Sequence, residues 1–375
     1  MASQQQNFTV GVEEEYQIID PVTRRLLPSS LQLLPAAQQQ LGDRVSTEIR
    51  LTQLEVSTPI CSTLQEIRQS LQHARRILSE VARQEGKQVL SAGTHPFSHW
   101  SEQPLTPTHR YQELERTYQQ LSREQTICGC HIHVGVHDRT LALRIVNRMR
   151  PWLPVLLALA ASSPFWLGND TGYASFRTMV WSRWPFSGPP PQFSSLEEYE
   201  KIIRALVATG AIADATFIYW DVRLSERYPT IEVRVADACL TVDEAVMLAS
   251  LTRALVWTCY EQELQQIPLP PHIMNTRFEL FRLAHWQAAR YGLCGALLDL
   301  EEQRLLPATA LIDKFLSMVR SVLERQGEWV EASALARAIA YEGNGSARMR
   351  AIYQRRQRYE DVVDFLVEET MRGIS

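Results

Sequence analysis

The sequence lacks the features that mark membrane, secreted and nucleic-acid-binding proteins. Its most apolar segment, 151–167, is short for a membrane span and is interrupted by Pro154 and Pro164. No basic region followed by an apolar run stands at its beginning, and six cysteines in 375 residues fit a reduced protein better than a disulfide framework. The net charge of −4 comes without a lysine-rich block. We therefore expect a soluble, cytoplasmic protein with no membrane and no nucleic acid among its partners.

Three short motifs of catalytic and nucleotide-binding proteins are also missing. The sequence contains no Gly-x-Ser-x-Gly elbow, no Gly-x-x-x-x-Gly-Lys-Ser/Thr loop and no Gly-x-Gly-x-x-Gly fingerprint. These absences exclude the α/β-hydrolase nucleophile and the two common glycine-rich nucleotide sites. If a nucleotide binds, its phosphates must be held through metal ions on an acidic surface.

One acidic strand is the most informative segment that is present. The apolar and β-branched residues of 8–20 predict a strand, yet Glu13, Glu14 and Glu15 stand in its middle. Because side chains alternate along a strand, Glu13 and Glu15 share a face, about 7 Å apart, and repel each other unless a positive charge lies between them. Mg²⁺ would satisfy them, since it takes oxygen ligands and keeps positions for substrate phosphates. An edge strand with solvated acids is the alternative.

Glutamates also stand inside two other predicted strands. Glu232 shares a face with Arg234, whereas Glu48 and Glu55 lie seven residues apart in the extended segment 45–58, a spacing that does not fix a common face. Glutamate is seldom buried unless it is paired or bound to a metal. The repeated placement of glutamate within strands therefore favours a shared metal site.

The predicted strand 126–136 carries two histidines and two cysteines. His131 and His133 share one face, and Cys128 and Cys130 share the other. Sulfur and imidazole suit zinc, but the alternation separates the two pairs. A zinc-dependent hydrolase built on the histidines remains an alternative, and a histidine in a strand is often a satisfied core residue.

The hydrophobic patterns predict an α+β protein with about six strands. A capping box at 63–66 begins an amphipathic helix with its apolar stripe on one side. Segments 216–224 and 230–237 are too close for a crossover and should form an antiparallel hairpin. The long segment 164–194 has no regular pattern, but its aromatic residues argue against disorder.

The remainder of the chain is predicted to be helical. Helices should run from 241 almost to the end, and the helix predicted at 347–371 offers an interface for a homodimer. No repeat and no Gly- or Ser-rich linker divides the chain. We therefore predict one catalytic domain over 1–375, with a strand-rich part at 8–240 and a helical tail at 241–375.

Several motifs together resemble the YbdK-like carboxylate-amine ligases of the glutamate–cysteine ligase type 2 group. They occur in the same order from about residue 8 to residue 240, and the combination is more specific than any one of them. They are Gly11-Val12-Glu13-Glu14-Glu15, Glu55-Val56-Ser57-Thr58-Pro59, Gly129-x-His131-Ile132-His133-Val134-Gly135, Asp170-Thr171-Gly172-Tyr173 and Tyr228-Pro229-Thr230-Ile231-Glu232-Val233-Arg234.

The resemblance implies a glutamine-synthetase-like fold, in which a curved antiparallel sheet backed by helices forms a funnel for ATP and Mg²⁺. The residues that the resemblance implies for binding the nucleotide are Glu13, Glu15, His133 and Arg234. Arg234 stands at the position of a phosphate-contacting arginine. The metal ligands that it implies are Glu13, Glu15, Glu48, Glu55, His131 and Glu232.

The implied reaction is ATP-dependent amide formation. A carboxylate attacks the γ-phosphate of ATP, and an amine displaces the resulting acyl phosphate; glutamate, through its γ-carboxylate, and cysteine are the namesake substrates. Arg177 and Arg223 are candidates for holding the α-carboxylate of the acid, or they are ion-pair residues. One departure from the family pattern, Leu283-Ala284-His285-Trp286 in place of Glu-Asn-Arg-Trp, leaves a non-catalytic ATP- and amino-acid-binding relative as a further alternative.

Overall fold

The centre of the protein is a seven-stranded sheet with antiparallel pairing throughout. The computed structural model describes residues 8–374, except for the side chains of Pro271 and His272. The strands are β1 Val10–Ile19, β2 Val45–Thr47, β3 Gln53–Ser57, β4 Gln88–Leu90, β5 Gly129–Gly135, β6 Phe165–Trp166, β7 Asn169–Asp170, β8 Ser187–Gly188, β9 Tyr219–Trp220, β10 Val222–Leu224, β11 Thr230–Asp237, β12 Ala296–Asp299 and β13 Arg304–Pro307.

The order of strands in the main sheet is β10-β11-β5-β1-β3-β2, and β4 also pairs with β1. The three small pairs β6–β7, β8–β9 and β12–β13 lie outside it. β1 therefore stands between β5 and β3, and its acids lie beside the histidines of one neighbour and Glu55 of the other. The predicted hairpin of 216–224 and 230–237 forms between β10 and β11, with Val222 opposite Val233, but residues 219–220 pair with β8 instead.

Helices lie on both sides of the sheet, some covering the face opposite the acids and others standing beside the acidic face. They are α1 Ser30–Leu41, α2 Leu64–Gln84, α3 His109–Tyr118, α4 Gln120–Arg123, α5 Arg139–Met149, α6 Leu153–Ala160, α7 Phe176–Trp181, α8 Leu196–Ala208, α9 Val242–Leu264, α10 Pro271–Met274, α11 Phe278–Tyr291, α12 Ala308–Arg325, α13 Trp329–Glu342, α14 Gly345–Arg356 and α15 Tyr359–Thr370.

Strand alternation builds the main core between the sheet and these helices. Val12, Ile132 and Val233 are almost fully buried, and they belong to one apolar cluster with residues of α5, α6 and α9. The buried apolar area holds the sheet rigidly on its helical side. The polar side chains of the same strands are left on the other face, where they line a cavity.

A buried ion pair joins the acidic strand to the helical layer. Glu14 points away from Glu13 and Glu15, and Arg75 of α2 donates to both of its oxygens, at 2.5 and 3.2 Å. The guanidinium group also donates to the carbonyls of Cys239, Leu240 and Thr370. Arg75 thus ties β1 to the start of α9 and to the last helix.

Two predictions about the first half of the chain need correction. The segment 45–58 is not one extended stretch: β2 and β3 form a hairpin, and Glu48 lies in the loop between them. The buried side chain of Arg50 in this loop donates hydrogen bonds to the carbonyls of residues 103, 122 and 125. These tertiary hydrogen bonds hold the loop in a conformation that is not a strand. The segment 164–194, predicted to have no regular pattern, contains the short helix α7. The predicted capping box of α2 is confirmed.

The predicted helical tail is also interrupted. β12 and β13 form a hairpin within it, and Leu297 of this hairpin enters the main core. The predicted helix 347–371 is two helices, α14 and α15, because Gln357 takes a left-handed backbone conformation with φ of 54°. The turn brings Tyr353 against Tyr359, with ring centroids 4.5 Å apart. A homodimer interface stays a prediction, as does the single domain.

None of the helices in the described part of the chain is both long and apolar enough to cross a membrane.

The Arg75–Glu14 pair should be essential for stability. Arg75→Met leaves a carboxylate that is only 1% exposed without its cation, so we expect a loss of about 3–5 kcal/mol in the free energy of unfolding, measured by urea denaturation. Arg76→Met is the matched control, since it removes the neighbouring, exposed arginine of the same helix and should cost under about 0.5 kcal/mol. Equal losses for the two variants would show that the buried pair is not special.

Candidate active site

A polar cavity of about 460 Å³ lies on the open face of the sheet. Its floor is formed by β1, β3, β5 and β11, and its walls by the loop after β2, by α3, by α7 and by the turn between β10 and β11. All the residues predicted for the site from the sequence line this one cavity: Glu13, Glu15, Glu48, Glu55, His131, His133, Arg177, Arg223, Glu232 and Arg234.

The strand register brings metal-ligand atoms together on the floor. Glu13 lies opposite His131 on β5, and Glu15 lies opposite Glu55 on β3. Two groups of three side chains each have ligand atoms within 4.8 Å of one another. These groups are Glu13, His131 and Glu232, and Glu15, Glu55 and His131.

The remaining predicted ligand, Glu48, lies beside these groups but in neither of them. It projects from the loop between β2 and β3, where an oxygen accepts a hydrogen bond from the backbone of Ile49 at 2.8 Å. Its negative charge helps to raise the pKa of both Glu15 and Glu55. Glu48 therefore contributes to the negative potential of the floor, although it belongs to neither of the two metal-ligand groups.

Two histidines and two arginines fix the charge state of the other acids. Burial opposes ionisation of Glu13, but hydrogen bonds from His131 and His133 outweigh it and hold the pKa of this carboxyl well below its usual range. Burial also opposes ionisation of Glu232, and the positive charges of Arg234 and Arg223 again outweigh it and lower its pKa. These two acids remain charged near neutral pH.

Glu15 and Glu55 are under the opposite influence. Burial and the charge of Glu48 raise the pKa of Glu15 to about 8. Burial, followed by the charges of Glu13, Glu48 and Glu15, raises the pKa of Glu55 well above its usual range. Carboxyl groups that crowd without a cation between them have this property, and a divalent cation would restore their ionisation.

The three predicted arginines and His133 differ in the hydrogen-bonding groups that they still offer to a ligand. Arg223 uses all three nitrogens within the protein, on Glu232 and on the carbonyls of residues 216 and 218. Arg234 donates to Glu232 through Nη1, and His133 lies between Thr230 and Glu13. Among the described residues, the guanidinium group of Arg177 donates only to the Arg234 carbonyl, at 3.3 Å, and its Nη1 atom lies 3.9 Å from an Asp237 oxygen.

Gly129 leaves space beside the strand for the guanidinium group of Arg177. A Cβ atom at this position would overlap the Nη2 atom of the guanidinium group. The glycine of the Gly-x-His segment thus makes room for a cation at the edge of the acidic floor, while its own N–H donates to Glu15 at 2.7 Å.

Sequence reasoning missed the wall above the floor. Arg110 and Tyr111, in the first turn of α3, line the cavity together with Tyr219. The Tyr111 hydroxyl lies 3.5 Å from a Glu48 oxygen. No periodicity or motif marks these residues, because they reach the site through the packing of a helix far from the floor in the sequence. Within the aromatic-rich segment 164–194, Trp181 and Trp184 line the cavity.

The cysteines take no part in the site. Cys128 accepts a hydrogen bond from Gln53, and Cys130 lies in the apolar core on the opposite face. Neither ligand group found among the described residues contains a cysteine.

Comparison with protein families identifies the chain. The model of the glutamate-cysteine ligase family 2 (GCS2) matches residues 9–369. The chain belongs to glutamate–cysteine ligase family 2. Members of family 2 with curated names cover nearly its whole length. "Putative glutamate--cysteine ligase 2" of Rhodopirellula baltica is 40% identical over 347 residues, which are 91% of this chain and 92% of the relative. "Putative glutamate--cysteine ligase 2-2" of Mycolicibacterium smegmatis is 42% identical over 363 residues, or 96% and 90% of the two chains.

Solved structures share the fold of this family 2 member. The glutamate–cysteine ligase of Francisella tularensis, solved in complex with AMP, superposes with a TM-score of 0.70 at 12% identity, covering 98% of this chain and 89% of the other. A bifunctional glutathione synthetase from Pasteurella multocida gives 0.69 at 14% identity, covering 98% and 52%. The predicted α+β fold of the glutamine-synthetase type is confirmed.

Binding of a divalent cation to the floor should release protons. Without a cation the pKa of Glu15 is about 8 and that of Glu55 is raised well above its usual range, whereas a cation binds their ionised forms. We expect the enthalpy of Mg²⁺ binding, measured by titration calorimetry near neutral pH, to differ between two buffers with different ionisation enthalpies.

The same carboxyls give the pH dependence of stability its sign. Between the ordinary glutamate pKa of 4.5 and about 8, Glu15 is more protonated in the folded metal-free protein than in the unfolded chain, so its contribution to stability falls as pH rises. Mg²⁺ should therefore raise the melting temperature more at the upper end of this range. Equal binding enthalpies in both buffers, or a stabilisation independent of pH, would contradict the assignment of these two residues.

Proposed function

We propose that this protein is an ATP- and Mg²⁺-dependent carboxylate–amine ligase of the cytoplasm, with its site in one catalytic domain. One observation carries the proposal: glutamates from three strands and one loop converge, together with His131, on one cavity that is also lined by arginines. The acid is proposed to be glutamate, reacting through its γ-carboxylate, and the amine to be cysteine or another small amine. The names of the family 2 relatives support this pair.

The floor residues fit Mg²⁺. Four of the five side chains in the two ligand groups are carboxylates, which are the ligands that hard cations prefer, and Mg²⁺ keeps positions for phosphate oxygens. Glu13, His131 and Glu232 would hold one ion, and Glu15 and Glu55 would hold an ion at the neighbouring position. His131 could instead serve the second ion, but it could not ligate both ions at once. When bound, Mg²⁺ neutralises charge on the phosphates of ATP.

The arginines of the cavity provide the fixed positive charges that the reaction needs. As the acid's carboxylate oxygen bonds to the γ-phosphorus, the bond to the ADP oxygen breaks, and Arg234 stabilises negative charge on the transferred group. Glu232 is proposed to position Arg234, since the two form an ion pair on one strand face. In the second step the amine nitrogen bonds to the acyl carbon, phosphate leaves with the bonding electrons, and the amine loses a proton to solvent.

The chain's own residues also bring the two substrates together. Arg177 is proposed to contact the acid substrate, because its Nη1 atom forms no hydrogen bond within the described chain. Arg223 is proposed to act through Glu232, since its nitrogens are already satisfied.

The non-catalytic alternative has one feature in its favour, the departure at 283–286. His285 is buried on α11, with Nε2 3.4 Å from a carboxylate oxygen of Asp221, and it does not line the cavity. The departure therefore lies behind the site and removes no ligand from the floor. A zinc-dependent hydrolase is less well supported, because the ligand groups are mainly carboxylate and lack cysteine.

Two substitutions test the proposed function. Glu55→Gln and Glu232→Gln should each reduce phosphate release from Mg-ATP, in the presence of glutamate and cysteine, by at least about 100-fold, because each removes a charge that holds the metal or the phosphates. Glu342→Gln, on an exposed position of α13, is the control and should keep full turnover. Circular dichroism should show all three variants folded.

Either floor variant turning over like the wild-type protein would refute the metal assignment. Tight ATP binding by the wild-type protein, without phosphate release for any pair of acid and amine, would instead support the non-catalytic alternative. Stoichiometric zinc in protein purified without added metal would favour the hydrolase.

A further inference from the structure

A second pocket, open to solvent, lies apart from the catalytic cavity and has a volume of about 350 Å³. Its lining comes from the turn after α5, the loop between β8 and α8, the first turn of α8 and the segment 274–278. Among the residues that the structure describes, none lines both this pocket and the catalytic cavity. A ligand here would occupy a site of its own, separate from the acidic floor.

Arg150 brings a buried positive charge to this second pocket, which we call the Arg150 pocket. The residue is only 3% exposed. Burial lowers the pKa of its guanidinium group to about 10, so the group still carries its charge near neutral pH. Its central carbon lies 4.0 Å from the centroid of the Phe281 ring, a cation–π contact that stabilises the charge only in part. Because a buried charge without a counter-ion is costly, arginines in protein interiors are normally paired.

The other buried arginines of the described chain are satisfied by the protein itself. Arg50 donates hydrogen bonds to backbone carbonyls, those of residues 103, 122, 123 and 125. The rest have a carboxylate within ion-pair distance: Arg75, Arg148, Arg177 and Arg253.

Arg150 has no such carboxylate among the described residues. Its Nε atom donates to the Pro190 carbonyl at 2.9 Å, and its Nη1 atom donates to the Gln192 side-chain oxygen at 3.4 Å. Its Nη2 atom makes no hydrogen bond to the part of the chain that the structure describes. Arg150 therefore has both a charge and a donor left for a ligand.

The loop beside Arg150 is held in place by the rest of the protein. The side-chain amide of Asn147 donates to the Phe193 carbonyl at 2.8 Å and accepts a hydrogen bond from the Phe193 N–H at 3.3 Å. The Phe193 ring packs against Tyr199 and Trp220, with ring centroids 5.0 and 5.4 Å apart. A pocket whose wall is already fixed loses little conformational freedom when a ligand binds.

Glu198 places a negative charge in the same pocket. One of its oxygens accepts hydrogen bonds from the backbone and the hydroxyl of Ser194, both at 2.6 Å, whereas the other oxygen makes none with the described residues. Ser194 follows Gln192, the partner of Arg150, by two residues, so the Cα atoms of these loop residues are at most about 7 Å apart. The two opposite charges, each with an unused atom, therefore suit a small zwitterion.

Two apolar side chains also line the Arg150 pocket. Met274 is 52% exposed and Phe278 is 43% exposed, so both have apolar surface that a ligand could cover. Inorganic phosphate would use the cation but neither the acid nor this apolar surface. An α-amino acid with an apolar side chain would use all three, because its carboxylate and ammonium groups are joined through one carbon atom.

We propose that the Arg150 pocket binds a free α-amino acid with an apolar side chain. Arg150 pairs with the carboxylate of this ligand, Glu198 pairs with its ammonium group, and Met274 and Phe278 cover its side chain. The inference is independent of the proposed function, because none of these four residues lines the catalytic cavity.

The test uses L-leucine as the probe and the methyl NMR signal of Met274 as the reporter. The full-length protein is prepared with methionine that is isotope-labelled at its methyl group, and Met274→Leu identifies the signal by its loss. Two matched compounds isolate the charges of the ligand: isocaproate lacks the ammonium group of leucine, and isoamylamine lacks its carboxylate. Inorganic phosphate is the fourth probe.

Three variants isolate the charges of the pocket. Glu198→Gln removes the negative charge, and Glu197→Gln is its matched control, since Glu197 is the exposed neighbour on α8 and does not line the pocket. Arg150→Lys keeps the positive charge but loses the guanidinium fork. Circular dichroism checks that all three variants are folded.

We expect L-leucine to shift the Met274 signal and both matched compounds to bind at least about 10-fold more weakly. Glu198→Gln should weaken L-leucine binding about 10- to 100-fold and leave isocaproate binding unchanged, because isocaproate has no ammonium group to lose a partner. Glu197→Gln should bind L-leucine as the wild-type protein does. Arg150→Lys should weaken L-leucine and isocaproate alike.

Several results would overturn the inference. One is an unchanged Met274 signal at about 20 mM L-leucine. Another is equal affinity of the wild-type protein for leucine and isocaproate, or of Glu198→Gln and Glu197→Gln for leucine, since either would remove the role of Glu198. Tighter binding of phosphate than of leucine would show a simple anion site instead. If Arg150→Lys does not fold, the matched compounds and the two glutamate variants still decide the question.

Discussion

The crowding of carboxylates on one face of β1 and its neighbours is the constraint on which the rest of the structure depends. Strand alternation separates three consecutive acids into two environments. Glu14 enters the core, where Arg75 neutralises it permanently. Glu13 and Glu15 face the cavity, where other acids join them and where the arginines pair only with Glu232 and Asp237. Burial and mutual repulsion raise the pKa of Glu15 and Glu55 there, and a bound divalent cation would favour their ionised forms.

Much of the site could be predicted because strands impose a period of two. That period alone placed Glu13 with Glu15, His131 with His133, and Glu232 with Arg234, and it separated the histidines from Cys128 and Cys130. It could not relate Glu48 to Glu55. The structure shows the reason: the loop that holds Glu48 is shaped by the buried bonds of Arg50 to distant carbonyls, which no local pattern reveals.

The parts of the fold that escaped prediction depend on tertiary contacts in the same way. The Leu297 hairpin has an apolar pattern that also suits a helix, and burial in the core decides between them. The turn at Gln357 could not be predicted from the sequence, because no glycine stands at the residue with positive φ. Arg110 and Tyr111 reach the cavity because α3 packs beside the loop that holds Glu48, a contact that no local pattern in the sequence reveals.

Family membership and fold support a role for the acidic floor of the cavity, but they do not determine which substrates its walls select. Solved ligases share the fold at 12–14% identity, a likeness that says nothing about which acid or amine is accepted. The direct measurement of the central claim is anomalous scattering from crystals grown with Mn²⁺, a stand-in for Mg²⁺, and a non-hydrolysable ATP analogue. The account predicts peaks between Glu13, His131 and Glu232 and between Glu15 and Glu55. A floor without Mn²⁺, or Mn²⁺ bound only elsewhere, would contradict it.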